Sequence, residues 1–251
     1  MFSWRTDRPG LTWAMTDRHG GVSPAPYGGL NLGSRVGDDP AAVAANRASV
    51  AAALGLAPER MVFLQQVHGA DVVEVDAPGE VDPIADVVVS AATELALCVL
   101  AADCVPVLAA DVAAGWVGAA HVGRPGMLAG AAPALIRALR ERGATRIEAV
   151  VGPAVCGACY EVPAAMFHDA VARVPESAAV SATGTPALDI AAGVRAQLRR
   201  AGVEPQYAGA CTRESARHYS YRRDGRTGRH SGIVVRRSAA PTTRTDAAAG
   251  S

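Results

Sequence analysis

Between Asp86 and Gly123 the chain runs through three long apolar segments, DVVVSA, LALCVLAADCVPVLAAD and GWVGAAHVG, rich in Val and Ala and bounded by turn residues. Segments of that kind read as core strands, so the fold has to be built around a buried sheet. None reaches the roughly 18 uninterrupted apolar residues of a membrane span. Even 84–102 is broken by Asp86, Thr93 and Glu94. The same stretch carries Asp103, Cys104 and, seventeen residues after the cysteine, His121.

Around these strands the pattern changes period. Asp39 is placed as the N-cap and Pro40 as the first residue of a helix, with Val43, Val50 and Leu54 at helical spacing until Gly55. Residues 127–142 read as a second helix closed by Gly143, with Pro133 as a break or delayed start. Two more helices are expected at 163–174 and 189–201, the latter capped by Asp189 and ended by Gly202. LTWAMT, RIEAVVGPAV and GIVV read as strands, and MVFLQQVHG and DVVEVD as a strand pair. PYGGLNLGSRVGDDP is a Gly-punctuated loop, and CTRESARHYSYRRDGRTGRH an Arg-dense arm. No linker or repeat divides the 251 residues. The expectation is therefore one α/β domain over 1–237, a mixed β-sheet core flanked by helices, with a disordered tail at 238–251.

Composition narrows the function classes. Half the residues are apolar and 19% are charged, as in a globular chain. All basic residues other than histidine are Arg, and the formal net charge is zero, which argues against a general polyanion binder and hence a nucleic-acid partner. The five cysteines are scattered and the first residues carry no apolar leader-like stretch. Together these point to a reducing, cytoplasmic setting, with thiols free or metal-bound.

Cys104 and His121, each taken alone, are consistent with packing: free cysteine is commonly buried, and a single histidine is readily satisfied in a core. A third candidate ligand is His68 in QQVHG, like the other two next to a turn or small residues at the end of a strand. Two imidazoles and a thiolate suit zinc, and three protein ligands leave a fourth position open, as in catalytic sites. Such an ion can supply a nucleophilic water or polarise a leaving group. The separations of 36 and 17 residues match no short zinc motif, so spacing leaves a chance trio open. Asp103 faces away from Cys104 in a regular strand, but a turn at DCVP brings it back as a supporting or acid–base group.

The segments QQVHG, ADCVP, AAHVG, GPAVCGACYEV and YSYRRDGRTGR, in that order, resemble the laccase-domain family, whose members are labelled polyphenol oxidases, peptidoglycan-editing factors or purine nucleoside phosphorylases. The resemblance runs from GGVS near residue 20 to GIV at 232–234. It implies a zinc ion on His68, Cys104 and His121, and phosphorolysis of adenosine, inosine and methylthioadenosine together with deamination of adenosine. It also suggests a homodimer. Phosphorolysis needs a cationic clamp for phosphate and stabilisation of a charge-separated transition state at the ribose. Arg47, Arg124, Arg222 and Arg223 are candidates for that work, with Arg47 and Asp103 assigned to catalysis and Asn31 and Tyr160 to hydrogen bonds with ribose or base. The chain departs from the family's HAGWRG after the third ligand, having HVGRPG instead. Its Cys156 and Cys159 form a C-x-x-C, a spacing that can mean a redox pair or half a zinc site, but no second C-x-x-C or neighbouring His pattern accompanies it, so a plain packing role is expected for the pair.

Other chemistries fit less well. Six histidines are too few for a multicopper oxidase, and a blue-copper site would want Cys, His and Met, here Met127, gathered on one loop. Copper is therefore expected only as an adventitious occupant. The cytidine-deaminase, Rossmann and P-loop signatures are all missing. Two alternatives use the same residues: a zinc hydrolase that edits peptidoglycan precursors, distinguished by indifference to phosphate, and a non-enzymatic zinc-stabilised binding module, which would call for a fourth protein ligand.

Overall fold

The computed structural model describes residues 1–79 and 81–238. Apart from Ser238, the expected disordered tail lies outside the described residues. Thirteen strands appear among them: β1 Phe2–Arg8, β2 Leu11–Thr16, β3 Met61–Val62, β4 Val72–Glu74, β5 Val87–Ser90, β6 Ala96–Ala101, β7 Val105–Asp111, β8 Trp116–Val122, β9 Glu148–Val151, β10 Ala178–Val180, β11 Pro186–Leu188, β12 Pro205–Tyr207 and β13 His230–Arg236. The six α-helices are α1 Pro40–Ala53, α2 Arg124–Ala129, α3 Ala131–Glu141, α4 Ala164–Arg173, α5 Ile190–Arg200 and α6 Tyr221–Asp224.

The long strands form two mixed sheets, ordered β1-β2-β13-β6-β3 and β12-β9-β7-β8-β5-β4, while β10 and β11 make a separate hairpin. Alternation along each strand explains why the sequence is apolar throughout. In β7, Val107 and Ala109 enter one cluster, shared with α3 and α5, while Leu108 and Ala110 enter another, shared with β2, β6 and β13. In β6, Leu97 and Val99 face that inter-sheet cluster, whereas Ala96 and Cys98 face a third, shared with Val50, Ala51 and Leu54 at the end of α1. The result is a four-layer stack, helix on sheet on sheet on helices, with the central strands covered on both faces. No described helix is long and apolar enough to cross a membrane.

Helix α1 begins as expected, with the Asp39 side chain accepting from Ala41 N and Pro40 in the first turn. Asp189 likewise caps α5 by accepting from Ala192 N at 2.8 Å. Three expectations need correction. The apolar run 95–111 is not one strand: it leaves the first sheet after Ala101, turns at 102–104 with Asp103 at φ 99°, and enters the second sheet at Val105. MVFLQQVHG and DVVEVD do not pair with each other, because β3 pairs with β6 and β4 with β5, in different sheets. The helix placed at 127–142 is two helices divided at Gly130, which adopts φ 84°, while Pro133 is tolerated in the first turn of α3, where no intrahelical N–H is needed. Helix α3 lies close on β8 because Gly118 has no side chain: a Cβ there would come within 2.6 Å of Leu135 Cδ1 and 2.9 Å of the Val88 carbonyl.

Asp111 closes the β7–β8 turn and anchors the approach to β9. Its carboxylate accepts from the backbone N–H groups of Ala114, Thr145 and Arg146 at 3.1, 2.8 and 2.7 Å. Burial opposes its ionisation, but these donors outweigh it and hold the carboxyl below its usual value. Asp111→Asn is therefore expected to cost about 1–3 kcal/mol at neutral pH, the range for stranding buried backbone donors. Since the folded value is the lower one, this contribution is present above the ordinary aspartate range and lost as pH falls through the lowered value. Urea unfolding of both chains should show the gap narrowing in acid.

Candidate active site

The rim where the two sheets meet collects the polar residues of the apolar strands. Cys104 follows the sheet-to-sheet turn, His121 sits near the end of β8 opposite Pro106, and His68 lies in the connection between β3 and β4. Their ligand atoms lie within 4.8 Å of one another, with Cys104 Sγ 3.9 Å from His68 Nε2. The two imidazole rings meet edge to face at 4.9 Å between centroids.

Asp86 organises both imidazoles. One oxygen lies 2.8 Å from His121 Nδ1, which leaves Nε2 for the cluster. The other accepts from the backbone N–H groups of Val67 and Gly69, at 3.0 and 2.6 Å, bracketing His68. His68 adopts φ 63°, a left-handed conformation that a non-glycine residue holds only when its surroundings impose it. Burial opposes ionisation of Asp86, but the His121 imidazole and the two N–H donors hold its carboxyl below the usual value. Burial also disfavours the Cys104 thiolate, yet His121 and His68 outweigh it and bring the thiol down to about 6.

The donor set fits a transition ion. Two imidazoles and an easily ionised thiol converge, an outer carboxylate fixes one tautomer, and no fourth residue belongs to the cluster among the described residues. Met127, the axial ligand a blue-copper site would want, packs its sulfur against Gly193 of α5 instead. Asp86→Asn is expected to weaken metal binding about 10–100-fold, the usual effect of removing an outer-shell partner. Competition with a chromophoric chelator measures it.

The cluster opens into a cavity of about 820 Å³ that also holds five arginines: Arg35, Arg47, Arg124, Arg222 and Arg229. Tyr160 lines it too, with the Arg222 guanidinium 4.7 Å from its ring centroid. Arg47 reaches it from α1, lying 3.6 Å over the Phe63 ring and donating to the Leu32 carbonyl. Arg124 opens α2, and Pro125 fits beside it because the first turn of a helix needs no N–H.

Three assigned residues are placed differently. Asn31 does not line the cavity: its side chain bonds Asp38, the carbonyl and N–H of Gly33, and Arg229 N, so its capacity is spent holding the Gly-punctuated loop. Arg223 also turns away, donating to the carbonyls of Thr212, Arg213, Ser215 and His218 and pairing with Asp224. Asp103 faces the cavity, but its two oxygens accept from Thr212 Oγ1 at 2.7 Å and Arg222 N at 2.6 Å. It pins the Arg-dense arm and is already committed as an acceptor, which is a poor arrangement for a proton-transfer group.

Sequence reasoning missed Asp86 and two of the cavity arginines, Arg35 and Arg229. Asp86 carried a signal, a lone carboxylate opening an apolar run, which had served only to exclude a membrane span. Arg229 lay inside YSYRRDGRTGR, and nothing in that Arg-dense stretch separates residues facing the cavity from those tying the arm down.

A His–Cys–His cluster opening into an arginine-lined cavity on a four-layer α/β scaffold defines a small-molecule site with a candidate metal centre. The chain belongs to the family described as multi-copper polyphenol oxidoreductase laccase, which matches residues 12–237. It is 54% identical over 239 residues to a purine nucleoside phosphorylase of Streptomyces coelicolor, covering 93% of this chain and 99% of that one. A purine nucleoside phosphorylase of Corynebacterium glutamicum is 44% identical over 225 residues, covering 87% and 92%. Among solved structures, YlmD from Geobacillus stearothermophilus superposes with a TM-score of 0.85 at 33% identity, covering 91% of this chain and 93% of that one.

Proposed function

We propose that this chain is a zinc-dependent purine nucleoside phosphorylase acting on adenosine, inosine and methylthioadenosine, with adenosine deamination as a second activity. The observation that carries the reading is the meeting, in one cavity, of the His68–Cys104–His121 cluster and five arginines. The volume falls within the ~300–1,000 Å³ of small-molecule sites, and relatives named purine nucleoside phosphorylase support the assignment.

In phosphorolysis the C1′–N9 bond of the nucleoside breaks and a C1′–O bond to phosphate forms. The electron pair of the broken bond leaves with the base, which takes up a proton. Arg47, Arg222 and Arg229 come from α1, α6 and the residue just before β13, so they converge on the cavity from different directions. Guanidinium forks suit a multiply charged phosphate, and holding it beside C1′ spends no reorganisation at the transition state. Asp103 acts as a positioning residue through Arg222, and Tyr160 offers an aromatic wall and a hydroxyl to the nucleoside. Zinc on His68, Cys104 and His121 would supply Lewis acidity to a group bound in the cavity. A reducing, cytoplasmic setting keeps such thiols available as metal ligands instead of pairing them in disulfides.

Chromatography of zinc-loaded protein with each nucleoside, with and without inorganic phosphate, tests the reading. Free base appears only with phosphate, together with ribose 1-phosphate from adenosine or inosine and 5-methylthioribose 1-phosphate from methylthioadenosine, while inosine appears from adenosine even in its absence. Folded, zinc-loaded protein that releases no base from any of the three overturns it.

A further inference from the structure

Away from the cavity, Cys156, Cys159, Cys211 and Glu214 bring three sulfurs and a carboxylate oxygen within 4.8 Å of one another. The set comes from two distant segments, each offering its pair across two intervening residues: Cys156-x-x-Cys159 and Cys211-x-x-Glu214. That interval places both side chains of a tight turn on one side, as in C-x-x-C zinc knuckles. The first pair spans a single 3₁₀ turn, Gly157–Cys159, with Cys159 N donating to the Cys156 carbonyl at 3.0 Å. The second is a turn closed by Ser215 N to the Cys211 carbonyl at 3.0 Å.

Backbone bonds lace the two turns together. Ala154 and Cys211 form a parallel bridge, Ala154 N donates to Ala210 O, and Thr212 N donates back to Ala154 O. The four side chains therefore meet on a rigid base. Cys159 is buried, its Sγ 3.3 Å from Glu214 Oε1, and none of the three thiols is in a disulfide. A carboxylate facing three sulfurs disfavours a redox pair, whose attacking thiolate it would repel. A cation at the centre is attracted by all four groups.

We propose that Cys156, Cys159, Cys211 and Glu214 form a second metal site, closed and structural, for a thiophilic divalent ion of the zinc class. Four protein ligands distinguish it from the three-ligand cluster in the cavity, because a complete tetrahedral shell leaves no position for substrate. Thiolate-rich donors select zinc over calcium or magnesium, which prefer oxygen. Binding displaces one proton from each thiol, and the free energy of binding becomes folding free energy. The ion clamps the turn that leads to Tyr160 onto the turn whose Thr212 bonds Asp103 and whose carbonyls Arg223 grips. It thereby braces the back of the cavity wall.

Metal analysis of the full chain, purified under reducing conditions, tests the site. The expected content is two zinc ions in the native chain, one in Cys104→Ala, and none in Cys104→Ala combined with Cys159→Ser. Should the double variant fail to fold, cobalt loading of Cys104→Ala decides. Its only other cysteine, Cys98, is buried in the core against α1, so a thiolate-to-cobalt charge-transfer band of three-thiolate intensity can arise only here. Chelation should abolish that band and lower Tm. Cys104→Ala that holds no zinc and gives no cobalt band overturns the proposal, as does a disulfide among Cys156, Cys159 and Cys211 in chains taken anaerobically from the cell.

Discussion

Cys104→Ala is expected to empty the cavity's metal site and lower phosphorolysis by about a hundredfold or more, beyond the ~10–100-fold that loss of a supporting outer residue costs. The thiol is the only anionic donor of the three. Without it, two neutral imidazoles hold an ion weakly, and Asp86 remains bound to His121 with nothing to orient it toward. The fold should survive, because Cys104 stands at the sheet rim and the sheet-to-sheet turn is held independently by Asp103 bonding Thr212 and Arg222. Metal content, circular dichroism and turnover on the same preparation separate the effects. Full turnover in folded Cys104→Ala whose cavity site is empty would mean that the cluster is packing and that the arginines alone carry the chemistry.

Gly123→Ala should do similar damage without removing a ligand. Gly123 has φ −85° and ψ −176°, extended backbone open to any residue, so alanine brings no conformational strain. Its Cβ, however, would stand 2.9 Å from Cys104 Sγ and 2.9 Å from His68 Cδ2. Two ligands must shift at once, and a site held to within a few tenths of an ångström loses affinity steeply. The expected result is metal binding weakened about 10–100-fold, comparable to loss of an outer-shell partner, with the Tm of the metal-free chain little changed. Chelator competition and thermal unfolding measure the two quantities. Unaltered metal affinity would show that the ligands can retreat without cost.

These effects mark where sequence reading stops. The Val- and Ala-rich runs announced buried strands because apolar continuity demands cover on both faces, and the caps Asp39 and Asp189 were readable because capping is a bond across two or three residues. The ligands His68, Cys104 and His121 could be picked out by residue type and by resemblance, since thiol and imidazole are conspicuous in apolar surroundings. The second-sheet crossing at Asp103, the bracket that Asp86 places around His68, and the meeting of Cys156–Cys159 with Cys211–Glu214 were decided by tertiary structure alone. Each depends on contacts between segments far apart in the chain, and no local periodicity encodes those. The arginines make the same point: neighbours in one arm, Arg222 and Arg223 have identical chemistry, yet one turns into the cavity and the other into a cage of carbonyls. Residue type determines what a side chain can do, and only packing decides where it is allowed to do it.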